Sequence, residues 1–275
     1  MTFTTKDYLP DKWRRILRHN NLDSFERLWD HQSDWYEEPN ERRGGWSGVS
    51  RCELELPEGG EVTIYRKTQE DHTSRSLRKP FGMLTFTREF NAMMHFRKAG
   101  LPSVEPVYFA VRKIEGNMRA ILCVEALDDY ISLKDLVKSW RRKGRPEKAT
   151  RLRVMRAAAD FMRRMHERRI QHHQFLPKHI FLRFEESGAI SVRVIDLEEA
   201  SIQSILGMLT FRDLYTLNRA SRGWSRTDRL RFFLIYFDRE RLDPAAKAIW
   251  RKIQIRNSKR SNWWIRKFFW FCRTV

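Results

Sequence analysis

Residues 172–182 read His172-His173-Gln174-Phe175-Leu176-Pro177-Lys178-His179-Ile180-Phe181-Leu182, and about fourteen residues later the chain reads Ile195-Asp196-Leu197-Glu198. A polar loop with a proline, followed by an apolar triplet, describes a loop feeding a strand. Ile180–Phe184 and Ile190–Leu197 form a hairpin-like pair across Glu185-Glu186-Ser187-Gly188, so Asp196 falls at a strand end. Each piece alone is commonplace, since Asp after two apolar residues often caps or turns. Their order decides the reading: both follow a long helical stretch, 148–169, and a short Arg-Ile link.

Working outward, Met155, Ala158, Ala159, Met162 and Met165 recur at three- and four-residue steps, which marks one buried helix face. Another helix is expected near 132–141, and a later one capped at Thr227 ahead of Leu230, Phe233, Leu234 and Phe237. Toward the N-terminus the period changes. Val49 to Leu56 alternates as a strand, Pro57-Glu58-Gly59-Gly60 turns the chain, and Val62, Ile64 and Tyr65 resume it, with Lys67 at its end. An Arg-rich loop leads to a helix from about Leu84 to Ala99, then to strands Val104–Val111 and Arg119–Glu125 around Glu115-Gly116-Asn117. Trp13, Ile16, Leu17, Phe25, Leu28 and Trp29 have helical spacing and make an N-terminal arm.

The expected organisation is α+β: an arm over 1–40, a small β-rich lobe over 41–126, a larger helical lobe over 127–243, and a basic aromatic tail over 244–275. Strands with one helix, then a helical half with a hairpin, is the order of a two-lobed, protein-kinase-like fold.

Phosphoryl transfer from a nucleotide needs a glycine turn near phosphates, a strand Lys, a helix Glu to position it, an Asp for Mg²⁺, and a loop that orients the acceptor hydroxyl. The chain offers Gly44-Gly45-Trp46-Ser47-Gly48, Lys67, Glu89 twenty-two residues on, the 172–182 loop, and Asp196. Their spacing carries the assignment.

These pieces resemble the lipopolysaccharide core kinases, the Kdo and heptose kinase family, most closely its InaA-like branch. The resemblance covers about residues 10–240. It rests on Arg42-Arg43-Gly44-Gly45-Trp46-Ser47-Gly48-Val49-Ser50, on Lys67 with Gln69, on Arg75 and Arg78-Lys79-Pro80-Phe81-Gly82, and on Thr85-Phe86-Thr87-Arg88-Glu89-Phe90. Pro177-Lys178-His179-Ile180-Phe181 and Ile195-Asp196-Leu197-Glu198-Glu199-Ala200 complete it. It implies a protein-kinase-like fold, ATP with Mg²⁺, and a lipopolysaccharide core sugar as phosphate acceptor. Gly45, Gly48, Lys67, Glu89 and Glu125 are then the nucleotide-binding positions, and Asp196 and His179 the metal positions. For His179 a loop-bracing hydrogen bond remains the alternative.

One departure stands out. The position of the catalytic Asp is Gln174, whose amide can orient a hydroxyl but cannot take its proton at neutral pH. His173, His172 or a substrate-assisted route would have to substitute, or transfer is slow. Otherwise the chain is a kinase-like binder without turnover, associated with membrane or lipopolysaccharide.

Net charge fits either reading. Of 275 residues, 54 are Lys or Arg and 35 Asp or Glu, a balance of +19. Residues 138–169 hold 13 basic and three acidic side chains, and residues 244–275 nine basic and none acidic, so these two segments carry the excess. Arg153, Arg156, Arg163, Arg164 and Arg168 suit either a solvated helix face or a surface for phosphates. In Lys259-Arg260-Ser261-Asn262-Trp263-Trp264-Ile265-Arg266-Lys267-Phe268-Phe269-Trp270-Phe271, rings interleave with cations, as at an anionic bilayer surface or in a helix packed back on the domain. Nucleic acid would account for the charge but for none of the ordered motifs.

A hydrophobic fraction of 41% excludes a disordered chain, and 32% charged residues exclude an integral membrane protein. No secretory leader and no apolar run of spanning length occurs, so the expectation is a cytoplasmic protein, with peripheral contact at the inner membrane's cytoplasmic face. Cys52, Cys123 and Cys272 read as unpaired thiols in a reducing compartment. The clustered histidines lack the spacing of a zinc site, and no Gly-x-Ser-x-Gly elbow occurs.

Overall fold

The computed structural model describes residues 6–76, 79–202, 210–221 and 223–255. Arg78, Cys272 and the cation-aromatic stretch 259–271 lie outside the described residues. By internal packing the chain divides into Met1–Asp129 with Val194–Glu199, and Tyr130–Arg193 with Ala200–Val275.

The first unit is built on a sheet between two helical layers. The arm supplies α1 (Asp11–His19) and α2 (Phe25–Asp30). Next come β1 (Trp35–Arg42), β2 (Gly45–Glu55), β3 (Glu61–Glu70), the small hairpin of β4 (Thr73–Ser76) and β5 (Lys79–Leu84), α3 (Thr85–Lys98), β6 (Pro106–Ile114) and β7 (Asn117–Glu125). The antiparallel sheet runs β1-β2-β3-β7-β6.

Side chains alternate across β3 and divide the layers. Ile64 packs with Trp13, Ile16, Leu17, Phe25 and Leu28 of the arm, and with Leu54, Ile121 and Cys123 of neighbouring strands. Arg66, on that face and 3% exposed, donates to the Leu28 carbonyl and to Ser50 Oγ at 3.0 Å. Lys67 and Gln69 take the opposite face and meet α3. Cys52 and Cys123 are buried free thiols, and burial lifts the Cys123 thiol well above its ordinary range.

Three differences from the expected elements have physical causes. β1 was not expected, because all eight of its residues are exposed and no alternation marks it. It is an edge strand, where Pro39 is tolerated. β2 begins at Gly45 rather than Val49, and the turn proper is Arg43-Gly44, whose φ values of 57° and 82° make a two-residue hairpin of the left-handed kind. The Arg-rich segment after Lys67 is the β4–β5 hairpin rather than a loop, and Lys67 lies three residues inside β3 instead of at its end.

The second unit holds β8 (Ile131–Ser132), α4 (Leu133–Lys143), α5 (Lys148–Glu167), β9 (Ile170–Gln171), a 3₁₀ turn (Pro177–His179), β10 (Ile180–Phe184), β11 (Ile190–Val194), β12 (Ser201–Ile202), α6 (Thr210–Ala220) and α7 (Arg226–Tyr236). A further helix, α8, covers 244–255. The expected face of α5 is buried: Met155 is 2% exposed, and Ala158, Ala159, Met162 and Met165 are fully enclosed. The cap of α7 is Ser225, not Thr227; its hydroxyl accepts from Asp228 N at 3.0 Å. Part of the excess basic charge is spent internally, since Arg145 and Arg151 of the 138–169 segment, with Arg231, surround Asp228. Among the described residues no helix is long and apolar enough to cross a membrane.

Candidate functional site

In the first unit, Lys67 Nζ donates to Glu89 Oε1 at 2.6 Å. The Lys67 side chain is 19% exposed and Glu89 only 3%, so the carboxylate lies behind and the ammonium in front. Burial opposes the Lys67 ammonium, but the charge and hydrogen bond of Glu89 outweigh it, with help from Asp196 and Glu37, so its pKa lies above the usual lysine value. Burial pushes the Glu89 carboxyl up; Lys67 pulls it back only in part, and Asp196 and Glu198 push the same way as burial. The charge of Asp196 thus bears on both partners.

Asp196 has φ of 61°, a left-handed conformation that costs a non-glycine residue on the order of 1 kcal/mol or more. Its strip is anchored by Val104 N donating to Val194 O at 3.0 Å and by Arg43 Nη1 donating to Glu198 Oε1 at 2.6 Å. The hairpin turn of β1 and β2 is therefore tied to the residues just after Asp196. Gly45 and Gly48 serve close backbone packing. A Cβ at Gly45 would strike the Glu70 carbonyl, and one at Gly48 would lie 2.7 Å from the Trp35 ring. Glu125 lies opposite Ile64 in the sheet, and its carboxylate is 3.7 Å from Lys12 Nζ.

In the second unit, residues 172–179 are held mainly by main-chain groups. The Gln174 carbonyl accepts from Leu176 N at 2.6 Å and faces His179 Nδ1 at 2.9 Å. His179 therefore makes the loop-bracing bond. His172 is fully buried, its ring stacked on that of His179 with centroids 6.1 Å apart. His173, at φ 64°, places Nε2 2.7 Å from Ser201 Oγ. Gln174 is half-buried.

A residue that the sequence did not single out carries this loop. Asp213 of α6, with no exposure, accepts from His172 N at 2.9 Å through Oδ2, and the same oxygen is 3.2 Å from His166 Nε2. His166 Nδ1 in turn meets the Tyr236 hydroxyl at 2.8 Å. Asp213 thus joins the loop to α5 and α7. Its sequence setting, a charged residue early in an amphipathic helix, resembles any solvent-facing Asp. Among the described residues no group of three or more His, Cys, Asp or Glu has the arrangement of a metal site.

The model of the lipopolysaccharide kinase (Kdo/WaaP) family matches residues 26–236. Protein InaA of Escherichia coli (strain K12) is 31% identical over 178 residues, which span 65% of this chain and 79% of that protein. The solved structure of WaaP in complex with acyl carrier protein superposes with a TM-score of 0.65 at 19% identity, over 94% of this chain and 98% of that one. That likeness gives the protein-kinase-like fold.

Proposed function

Because the chain belongs to the lipopolysaccharide kinase (Kdo/WaaP) family, we propose that it transfers the terminal phosphoryl group of ATP, with Mg²⁺, to a sugar hydroxyl of the inner lipopolysaccharide core. The observation that carries this is the 2.6 Å pair of Lys67 and Glu89, with Asp196 acting on both. A lysine held charged at the front of a buried carboxylate suits the oxygens of a nucleotide phosphate.

The residues fit the proposed cofactors. Mg²⁺ keeps several waters and phosphate oxygens and asks the protein for only one or two carboxylates, so Asp196 suffices without a dense acidic cluster. When bound, the metal nucleotide supplies the transferable phosphoryl group and spreads its negative charge. Lys67 binds phosphate oxygens, and Glu89 fixes the direction of the ammonium. The β1–β2 hairpin, which turns at Arg43-Gly44 and is tied through Arg43 to Glu198, brings main chain toward the nucleotide. Gln174 orients the acceptor hydroxyl through its amide. With His172 fully enclosed, His173 would receive the proton through Nε2, in exchange for its 2.7 Å contact with Ser201 Oγ. His179 braces the loop beneath. Peripheral attachment to an anionic membrane surface, where the acceptor resides, belongs to the same proposal and rests on the charge balance.

The second reading is a kinase-like binder without turnover, favoured by the missing carboxylate at 174. The test is thermal stabilisation by ATP with Mg²⁺, followed by phosphate transfer to deep-core lipopolysaccharide. Stabilisation with transfer supports the kinase, stabilisation without transfer the binder. Absence of both rejects the nucleotide site.

A further inference from the structure

Beside the Gln174 loop, the second unit has a hollow of about 500 Å³. Its origin is legible on α4. Leu133 and Val137 lie one turn apart and form an apolar stripe, while Lys134, Lys138 and Arg141 follow at four- and three-residue steps along the adjoining one. The far wall is Leu176, Pro177 and Lys178, at the start of the 3₁₀ turn Pro177–His179. Ala220 and Trp224 line another side. Gly223 allows that segment to approach α4, since a Cβ there would lie 2.5 Å from Val137 Cγ1.

The charge is one-sided. Lys134, Lys138, Arg141 and Lys178 are exposed, and no lining residue is acidic. Asp135, the carboxylate of α4, is taken up at the helix start, where it accepts the Ser132 hydroxyl at 2.6 Å. Among the described residues none of the four cations forms an ion pair.

We infer that this hollow is the acceptor subsite and takes an acidic oligosaccharide. The apolar C–H faces of sugar rings lie on Leu133, Val137 and Leu176, and their carboxylate or phosphate groups meet Lys134, Lys138 and Arg141. The volume falls within the range of small-ligand pockets, about 300–1,000 Å³. A sugar seated there has its hydroxyls next to the loop that holds Gln174, which is where a transferred phosphate must arrive. The inference deepens the kinase reading and rests on it for the word acceptor; the recognition itself is of charge and shape.

The experiment titrates the full-length protein with deacylated inner-core oligosaccharide bearing Kdo carboxylates, and separately with a neutral maltooligosaccharide, by calorimetry. Wild type is compared with Lys138→Glu/Arg141→Glu and with Lys247→Glu/Arg251→Glu, an equal charge change on exposed positions of α8. ATP-dependent thermal shift is recorded for each protein. The expected result is at least tenfold weaker binding of the acidic probe by the first variant, twofold or less by the second, an unchanged ATP shift in both, and marked weakening in 0.5 M salt. Should the first variant unfold, Lys138→Gln/Arg141→Gln takes its place, with a smaller loss in the same direction.

Equal binding by all proteins, equal binding of the neutral sugar, or no binding of the acidic probe overturns the inference, whether or not ATP binds. Preference for an acidic helical peptide over the sugar overturns it in favour of a protein partner. If ATP gives no shift while probe binding follows Lys138 and Arg141, the hollow stands as a saccharide site and the kinase reading falls.

Discussion

The amide oxygen of Gln69 accepts the backbone N–H of Phe86 at 2.8 Å, so a residue of β3 caps the helix that carries Glu89. The helix has no side-chain cap of its own, because its flanking residue is Leu84. The same oxygen accepts the Thr85 hydroxyl at 2.8 Å, and Gln69 Nε2 donates to the His72 carbonyl at 2.9 Å. With the Thr85 proton committed to Gln69, His72 Nδ1 must donate to Thr85 Oγ1, 3.1 Å away. Burial and the cations Arg43 and Arg42 hold the His72 pKa below its ordinary value, which suits a neutral ring in this network. Gln69 stands two residues from Lys67, and Phe86 three from Glu89. The cap and the ion pair are successive rungs between one strand and one helix.

Gln69→Leu is therefore expected to lower stability by about 1–3 kcal/mol, the cost of leaving buried donors such as Phe86 N–H unsatisfied. Nucleotide affinity should fall as well, because Glu89 loses its register against Lys67. Thermal melts with and without ATP check this, and an unchanged melting temperature would count against the capping role.

Lys67→Met removes one partner of a buried pair and strands the Glu89 carboxylate, a loss of about 3–5 kcal/mol at neutral pH. The folded-state pKa of Glu89 already lies above its unfolded value through burial, and losing Lys67 moves it further up. The native state then binds the proton more readily than the unfolded state, so the deficit is full above the folded pKa and shrinks as pH falls through it. Urea melts of the variant from pH 8 to pH 5 should close part of the gap to wild type. Lys67→Met/Glu89→Gln should close it without the pH change, while remaining unable to bind ATP.

Asp228→Ala should be among the most destabilising changes in the second unit. Its side chain is 4% exposed, with Arg151 Nη1 at 3.1 Å, Arg231 Nη1 at 3.2 Å and Arg145 also in contact, so removing it leaves three cations facing one another. The expected cost is about 3–5 kcal/mol, read from urea unfolding. A cost below about 1 kcal/mol would mean that these arginines are satisfied by water.

Gln174→Asp should raise phosphate transfer. The loop is braced through the main-chain carbonyl of Gln174, not its amide, so the side chain can change while the bend persists. General-base catalysis contributes about 10²–10⁴-fold, and the lower end is expected because the neighbours are His173 and Phe175. No gain with ATP still bound would favour the binder, and a fall from a measurable rate would mean that the amide itself positions the acceptor.

Helices with a strong apolar period, α1, α3 and α5, were legible because one face of each is buried against the core and repeats in sequence. The candidate pair Lys67 and Glu89 was legible from order and spacing. β1 was not, because an exposed edge strand carries no burial pattern to read. Gly45 and Gly48 were noticed as a turn, whereas their demand is for close packing against Glu70 and Trp35, which only the folded register reveals. Asp213 itself, and the capping role of Gln69, were hidden for one shared reason. Each acts through a side chain that reaches main chain of a different element, and no local periodicity encodes such a reach.

The bond from His172 N to Asp213 spans forty-one positions of sequence and ends on a carboxylate with no contact with water. An amide tied in this way cannot trade its hydrogen for deuterium by the small fraying that exposes most loop amides. Exchange at His172 must await the lifting of α6 from its neighbours, so its rate should match that of the slowest helical amides around it. A loop that looks like a surface bend in sequence thus keeps the time of the interior, and whatever loosens α6 sets the clock for the residues that follow His172.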